Sequence, residues 1–176
     1  MILGFKAQFV PYVLDGSKTH TIRAGQRWRA GMRADLFQNV RQKNMSLLFR
    51  APVVRVENIC IFDDPNEGAG ILMQGEPLHH AECDLFAYRD GFRSSCSDTE
   101  AYGTVGAFEQ MIEFWRRTHN LADNPFRGQV IHWDYGQRYV PCLDCGRSHP
   151  LGPCNAMFRS DWRLPRPSLA AIVEAV

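Results

Sequence analysis

The sequence has no apolar run long enough to cross a membrane. A spanning helix needs about 18 or more consecutive apolar residues, and no such stretch occurs among the 176 residues. The opening Met-Ile-Leu-Gly-Phe-Lys also lacks the basic residues and longer apolar run that mark a signal peptide. Internal repeats and low-complexity tracts are absent. We therefore expect no membrane contact, a cytoplasmic location, and a packed core filled from the 45% of residues that are hydrophobic.

Cysteine is also scarce, with six residues in the chain. Cys60, Cys83 and Cys96 are isolated from one another in or near apolar surroundings. A disulfide framework requires paired cysteines and an oxidising compartment. We expect these three to be buried or idle thiols.

Neither charge sign dominates, since the formal net charge is +1. The charges are nevertheless segregated: residues 1–60 hold ten Lys and Arg against three acids, and residues 61–125 hold four against twelve. The basic segment is typical of a surface that faces phosphates. The alternative is that it pairs with the acidic middle segment.

The hydrophobic pattern indicates strands first and helices later. Alternation predicts strands over residues 34–39 and 49–60, with Pro52 near an edge or a strand beginning. Helical spacing predicts a helix over residues 78–88, with Leu78, Ala81, Leu85 and Tyr88 facing the core. A second helix over residues 104–119 and a last strand over residues 129–135 follow. Residues 63–77, rich in Asp, Gly and Pro, indicate a long connection.

An unusually dense set of chemical groups occupies the octet Gly16-Ser17-Lys18-Thr19-His20-Thr21-Ile22-Arg23. A short apolar turn or helix over residues 9–15 precedes it, and the glycine begins a new element. In a strand, Thr21 and Arg23 share one face, and His20 lies on the other. A buried lysine has a lowered pKa and suits a base, and a neighbouring threonine hydroxyl suits a nucleophile. The alternative is an ordinary surface strand.

The octet resembles the motif of the ASCH domain, a branch of the PUA-like β-barrels. The similarity rests on Gly-x-Lys-Thr-x-Thr-Ile-Arg followed by Gly-x-x-x-Gly-x-x-Ala-Asp-Leu, and it extends over about residues 2–135. The commoner ASCH form has Glu at the position of Thr21. The Thr form is similar to small bacterial enzymes that hydrolyse N4-acetylcytidine. The resemblance implies an α+β fold with a small β-barrel and flanking helices, spanning residues 1–136.

The resemblance also implies a site. Lys18 and Thr21 match the catalytic lysine and threonine, and Asp90 aligns with a glutamate that completes the group. Aspartate is one methylene shorter, so Asp90 either serves as the acid–base group or binds a base edge instead. His20 is expected to stack on a base or shuttle a proton, or else to be an exposed strand residue. Arg23 is expected to contact the ligand.

Arg27 and Arg29 extend the basic segment and are expected to contact nucleic acid or substrate. On the helix predicted over residues 78–88, Glu82 and Asp84 are additional carboxylates near the aligned site. We expect both to be charges on a solvated helix face.

A second pattern lies beyond the ASCH-like region, within a predicted extension over residues 137–176. Cys142, Cys145, His149 and Cys154 have the spacing C-x2-C-x3-H-x4-C, which resembles a zinc knuckle one residue shorter than usual. Such segments have too few apolar side chains to order without the metal. The alternatives are free thiols in a flexible tail and a redox pair. An Arg- and aromatic-rich arm over residues 158–167 and a short helix beginning at Ser168 are predicted to follow.

These observations predict a nucleic-acid or nucleobase-binding protein with a cleft built from Lys18, Thr21, Arg23 and Asp90. Its expected partner is RNA, another single-stranded nucleic acid or a modified nucleoside. The alternative is an amidohydrolase acting on N4-acylated cytidine, and a further alternative is a protein-interaction module that docks through its Cys/His segment. We expect a structural zinc and no organic cofactor, and the sequence leaves the oligomeric state open.

Overall fold

A computed structural model describes residues 1–66, 68–93, 106–121 and 123–136, together with the backbone of 139–141 and 148–150. The fold is α+β and contains a mixed sheet of seven strands. The strands of this sheet are β1 Ile2–Phe5, β2 His20–Ala24, β3 Arg33–Gln38, β4 Ser46–Asp64, β5 Gly68–Met73, β6 Glu76–Pro77 and β7 Phe126–Trp133. The helices are α1 Val10–Leu14, α2 His80–Arg89 and α3 Ala107–Arg116, and a 3-10 turn over Ala7–Phe9 precedes α1.

The 19-residue strand β4 organises the sheet, because it pairs with three other strands along its length. Its first part is antiparallel to β3, its middle to β7, and its end to β5. Strand β1 adds to β3 in parallel, and β2 adds to β7 antiparallel. Within this sheet β1 and β2 do not pair with each other, so the sheet stays open. The predicted closed barrel is therefore wrong, and the coarser prediction of an α+β fold is confirmed.

The predicted core face of α3 is confirmed, and the predicted core face of α2 is confirmed only in part. Phe108, Met111, Ile112 and Trp115 of α3 are all buried. On α2, Tyr88 is buried as predicted, but Ala81 is exposed and Leu85 is only partly covered. The buried face of α2 consists instead of Cys83, Asp84, Ala87 and Tyr88. The helix begins two residues later than predicted, so Leu78 lies before its first turn.

One prediction about the strands is wrong, and the prediction for Pro52 is confirmed. Residues 63–77 do not form a long connection, because β4 continues to Asp64 and turns into the hairpin partner β5. Pro52 lies inside β4, opposite Arg33 and just before the register shift between Val53 and Arg55. The pairing with β7 begins only at Val53, so Pro52 has a paired strand on one side only, which confirms the predicted position near an edge.

No helix in the described part of the chain is both long and apolar enough to span a membrane. In the predicted extension, β8 Tyr139–Pro141 and β9 Ser148–Pro150 pair antiparallel, with Val140 opposite His149. The predicted arm over residues 158–167 and the helix from Ser168 lie outside the described residues, as does Cys96. Cys60 and Cys83 are buried free thiols, as predicted.

Candidate functional site

Backbone hydrogen bonds hold the octet between α1 and α2. Helix α1 ends at Leu14, and Gly16 has a positive φ of 79° that turns the chain. The Lys18 N–H then donates to the Tyr12 carbonyl at 2.8 Å, and the Thr19 N–H donates to the Arg89 carbonyl at 3.0 Å. Strand β2 begins at the next residue, His20. The octet therefore starts a new element, as predicted, but its first four residues form a connector rather than a strand.

Lys18 is 2% exposed and forms the centre of the site. Its ammonium group donates short hydrogen bonds to both the backbone carbonyl and the carboxylate Oδ1 of Asp90. The same Nζ atom lies 4.9 Å from the centroid of the Phe9 ring and 5.8 Å from that of Phe5. The side chain is therefore enclosed by one carboxylate and two aromatic rings, and a ligand reaches it only if neighbouring side chains move.

Asp90 reaches Lys18 because α2 ends at this residue and Gly91 then turns the chain. Asp90 is the C-cap residue of α2, and Gly91 follows with a φ of 92°. A Cβ at Gly91 would lie 3.0 Å from Phe9 Cδ1 and 3.2 Å from Lys18 Cδ. Only glycine therefore combines this turn with this close approach to Lys18.

Burial shifts the acid–base behaviour of both members of the pair. Loss of hydration lowers the pKa of Lys18 from 10.5 to about 8, although the Asp90 carboxylate opposes this change. Burial likewise raises the pKa of Asp90, and the charges of Lys18 and Arg23 oppose that rise. Both shifts favour the neutral forms, so a proton moves between these two groups at lower cost than in water. Such a pair is suited to proton transfer near neutral pH.

Thr21 and Arg23 complete the site on the strand side. Thr21 is buried, and its hydroxyl accepts a hydrogen bond of 2.9 Å from Arg23 Nη1. Arg23 Nη1 also donates to the Ile22 carbonyl at 2.7 Å, and Nη2 donates to the Gly4 carbonyl. The guanidinium carbon lies 5.6 Å from the centroid of the Phe5 ring, which also faces Lys18. The structure therefore brings together Lys18, Thr21, Arg23 and Asp90, and it turns Arg23 inward.

His20 is buried rather than exposed. Its ring stacks on Phe86 of α2 with a centroid separation of 4.5 Å, and the His132 ring lies 5.1 Å away. Burial and the charge of Lys18 hold the pKa of His20 well below 6.5. The expectation of an exposed strand histidine is therefore wrong, and His20 is a neutral imidazole near neutral pH.

Arg27 and Arg29 lie in the exposed loop between β2 and β3, outside the buried group. Arg29 donates to the backbone carbonyls of Gln26 and Trp28. Between the two arginines, Trp28 is buried, and its N–H donates to Gln129 Oε1 at 3.0 Å. The loop is thus anchored to β7 while both arginines remain at the surface.

Arginines of the basic segment pair at the surface with acids of the same segment. Arg50 pairs with Asp35 at 2.9 Å, and Arg55 pairs with Glu57 at 3.1 Å. These pairs neutralise part of the segment without using the acidic residues 61–125.

Sequence reasoning missed several residues that support the site. The Tyr135 hydroxyl donates to the Lys18 carbonyl at 2.6 Å. Arg93 donates to the Ser17 hydroxyl at 2.7 Å and packs between the rings of Tyr12 and Tyr88 at 4.1 and 3.7 Å. These contacts join positions as far apart as 117 residues in the chain. No local pattern signals such partners.

The prediction that Asp84 lies on a solvated helix face is also wrong. It is buried rather than solvated, and its Oδ1 accepts a hydrogen bond of 3.0 Å from the Phe108 N–H of α3. Glu82 is exposed, as predicted, and its carboxylate accepts from the His79 N–H at the beginning of α2.

The predicted zinc ligands Cys142, Cys145 and Cys154 lie outside the described residues, and His149 is described only by its backbone. Among the side chains that the structure does describe, no group of three or more His, Cys, Asp or Glu is arranged to hold a metal. Zinc remains a prediction from the C-x2-C-x3-H-x4-C spacing.

Comparison with known proteins gives no match: no family model, no curated protein and no solved structure is similar to this chain.

Proposed function

We propose that the chain binds a nucleobase at the Lys18–Asp90 pair, as the resemblance of its octet to the ASCH motif implies. The observation that carries the proposal is the burial of this pair between the aromatic rings of Phe5 and Phe9. A nucleobase presents a polar edge and two apolar faces. The pair offers a donor and an acceptor for the edge, and aromatic rings are suited to stacking on the faces.

The neighbouring groups fit the same ligand. The Thr21 hydroxyl adds a group that both donates and accepts, and the exposed Arg27 and Arg29 follow on the next loop. Buried polar groups in a binding site discriminate strongly, because a ligand that fails to pair with them leaves their hydrogen bonds unmade. A base of defined edge chemistry is therefore favoured over an unspecific anion.

The second candidate is an amidohydrolase that acts on N4-acylated cytidine. It is favoured by the pKa of Lys18, about 8, together with the hydrogen bond that Thr21 accepts from Arg23. In this reaction Thr21 Oγ attacks the acyl carbonyl and passes its proton to neutral Lys18. That proton then moves to N4 as the C–N bond breaks. Water releases the acyl group as a carboxylic acid, so acylcytidine and water become cytidine and acid.

Binding of cytidine and of N4-acetylcytidine, measured by calorimetry, tests the first candidate. Lys18→Met and Asp90→Asn are expected to weaken binding by about tenfold or more, which corresponds to about 1.4 kcal/mol. Lys43→Met, at an exposed loop lysine, is the matched control and is expected to bind as the wild type does. Circular dichroism checks that each variant is folded. Unchanged affinity in folded Lys18→Met and Asp90→Asn would refute the proposed site.

Release of acetate from N4-acetylcytidine tests the second candidate. Because neutral Lys18 is the base, kcat/KM is expected to rise with pH and level off above about pH 8. Thr21→Val is expected to abolish turnover and to leave binding measurable but weaker, since one hydroxyl contact is lost. Binding without turnover in the wild type would reject the hydrolase and leave the nucleobase-binding function in place.

A further inference from the structure

A second group of charged side chains lies beside the proposed site. We call it the His20 cluster, and it consists of His20, Arg55, Glu57, Arg89 and His132. The sheet assembles four of its members, since His20 of β2 is opposite His132 of β7, and His132 is opposite Arg55 of β4. Helix α2 supplies Arg89. The Thr19 N–H binds the Arg89 carbonyl, which holds this end of the helix against the residue that joins Lys18 to His20.

The His20 cluster carries more positive than negative groups. Glu57 is its one carboxylate, and it accepts a hydrogen bond of 2.7 Å from His132 Nε2 and pairs with Arg55 Nε at 3.1 Å. The cluster thus has two guanidinium charges against the single negative charge of Glu57, and the His20 imidazole is neutral. Burial lowers the pKa of both His20 and His132, and the positive charges of Arg55 and Arg89 lower both further. The cluster therefore attracts an anion.

Two of its buried nitrogen atoms have no hydrogen-bond partner within the described part of the chain. They are Nε2 of His20 and Nε of Arg89. An unpaired buried polar group is costly, and folded proteins pair nearly all of them. The cluster also reaches the surface, because the Arg55 side chain is 62% exposed, whereas that of Glu57 is 18% exposed. The cluster is thus accessible from solvent at Arg55.

We propose that the His20 cluster binds a phosphate group. The guanidinium groups of Arg55 and Arg89 are planar donor forks that match phosphate oxygens. Given the proposed function, on which this part rests, the phosphate belongs to the nucleoside whose base enters at Lys18. The ligand is then a nucleotide, free or within a strand, rather than a nucleoside.

Titration with inorganic phosphate tests the phosphate site by itself. The ring signals of His20 and His132 in an NMR spectrum are expected to shift with phosphate, whereas those of the exposed His79 and His119 are not. Arg89→Gln is expected to weaken phosphate binding at least tenfold. Arg55→Gln, at an exposed side chain whose loss does not threaten folding, is expected to weaken it as well. Arg127→Gln, at an exposed arginine of β7 outside the cluster, is the control. No shift at millimolar phosphate, or binding that survives both cluster variants, would overturn the proposal.

Three ligands then identify the source of the phosphate: cytidine, cytidine 5′-monophosphate and a short single-stranded RNA. A mononucleotide that binds at least tenfold more tightly than cytidine, with this advantage lost in Arg89→Gln, supports a free nucleotide. An advantage shown only by the RNA supports a strand. Phosphate binding without any preference among the three ligands would reject the link to the nucleoside. Lys18→Met separates the two proposals, because it is expected to remove base binding and to leave the response to inorganic phosphate intact.

Discussion

Burial controls the chemistry of Lys18, His20 and Asp90. Each of these residues is at least 95% buried, and in each case loss of hydration is the largest cause of the pKa shift. The partner charge opposes the shift for Lys18 and Asp90. For His20 the neighbouring charges are positive and add to it. The connector before β2 thus supplies Lys18 to the pair with Asp90, and two residues later β2 begins with an imidazole that stays neutral.

The neutral state of His20 predicts how stability depends on pH. The folded-state pKa lies below the unfolded value of 6.5, so the unfolded chain binds the extra proton first. Stability associated with His20 is complete above about pH 6.5 and is lost as the pH falls, by at most about 1.4 kcal/mol per pH unit. Urea unfolding at pH 7.5, 6.5 and 5.5 is expected to show a steeper loss for the wild type than for His20→Gln. The exposed His119→Gln is expected to follow the wild type, and equal slopes for wild type and His20→Gln would contradict the assignment.

A side chain of α2 caps the N-terminus of α3. Helix α3 begins after Gly106, which has no side chain with which to cap it. Asp84, in the middle of α2, instead accepts the hydrogen bond of the Phe108 N–H. A carboxylate at this end of α3 also interacts favourably with the helix dipole. Because α2 ends at Asp90, this cap also supports the helix that carries the site carboxylate.

We therefore expect Asp84→Ala to destabilise the protein by about 1–2 kcal/mol, the usual cost of losing a helix N-terminal acceptor. Chemical denaturation measures this loss. The control Glu109→Ala, at an exposed acid in the first turn of α3, is expected to change stability by less than about 0.5 kcal/mol. Equal effects of the two substitutions would show that Asp84 acts through general charge and not as a cap.

At the scale of the whole molecule, the site depends on contacts between distant parts of the chain. Lys18 and Asp90 are 72 residues apart, and Tyr135 binds the Lys18 carbonyl across 117 residues. Strand β4 makes this possible, since it joins β3, β5 and β7 in one sheet. Strand β7 in turn holds β2 and leads into Tyr135.

The Cys/His segment predicts a bound metal that is separate from this site. We expect elemental analysis of the purified chain to find about one zinc per molecule. Combined substitution of Cys142→Ser and Cys145→Ser is expected to remove it, because two of the four ligands are lost. Cys60→Ala, which removes a cysteine outside the C-x2-C-x3-H-x4-C pattern, is expected to retain the zinc. Full zinc content in the double variant would exclude this segment as the site.

The sequence by itself determined the features that depend on local pattern. Helix α3 and its buried Phe108, Met111, Ile112 and Trp115 follow from 3.6-residue spacing, and the end of α2 follows from Gly91, which takes the positive φ required there. The chemical content of the octet is likewise evident from its residues alone. Both kinds of signal lie within a few residues of one another, so no knowledge of distant contacts is needed.

Only the tertiary structure decided which of these residues are in contact and how deeply each is buried. The buried state of His20 and Asp84, the joining of Lys18 to Asp90, and the open sheet in place of a barrel all depend on partners far along the chain. Asp84 illustrates the reason: its helical position suits solvent, yet the N–H of Phe108 compensates its burial. A short window of sequence carries residue type and spacing but not the identity of such a partner. The pKa values that give the site its chemistry arise from that partner and from the loss of water around it.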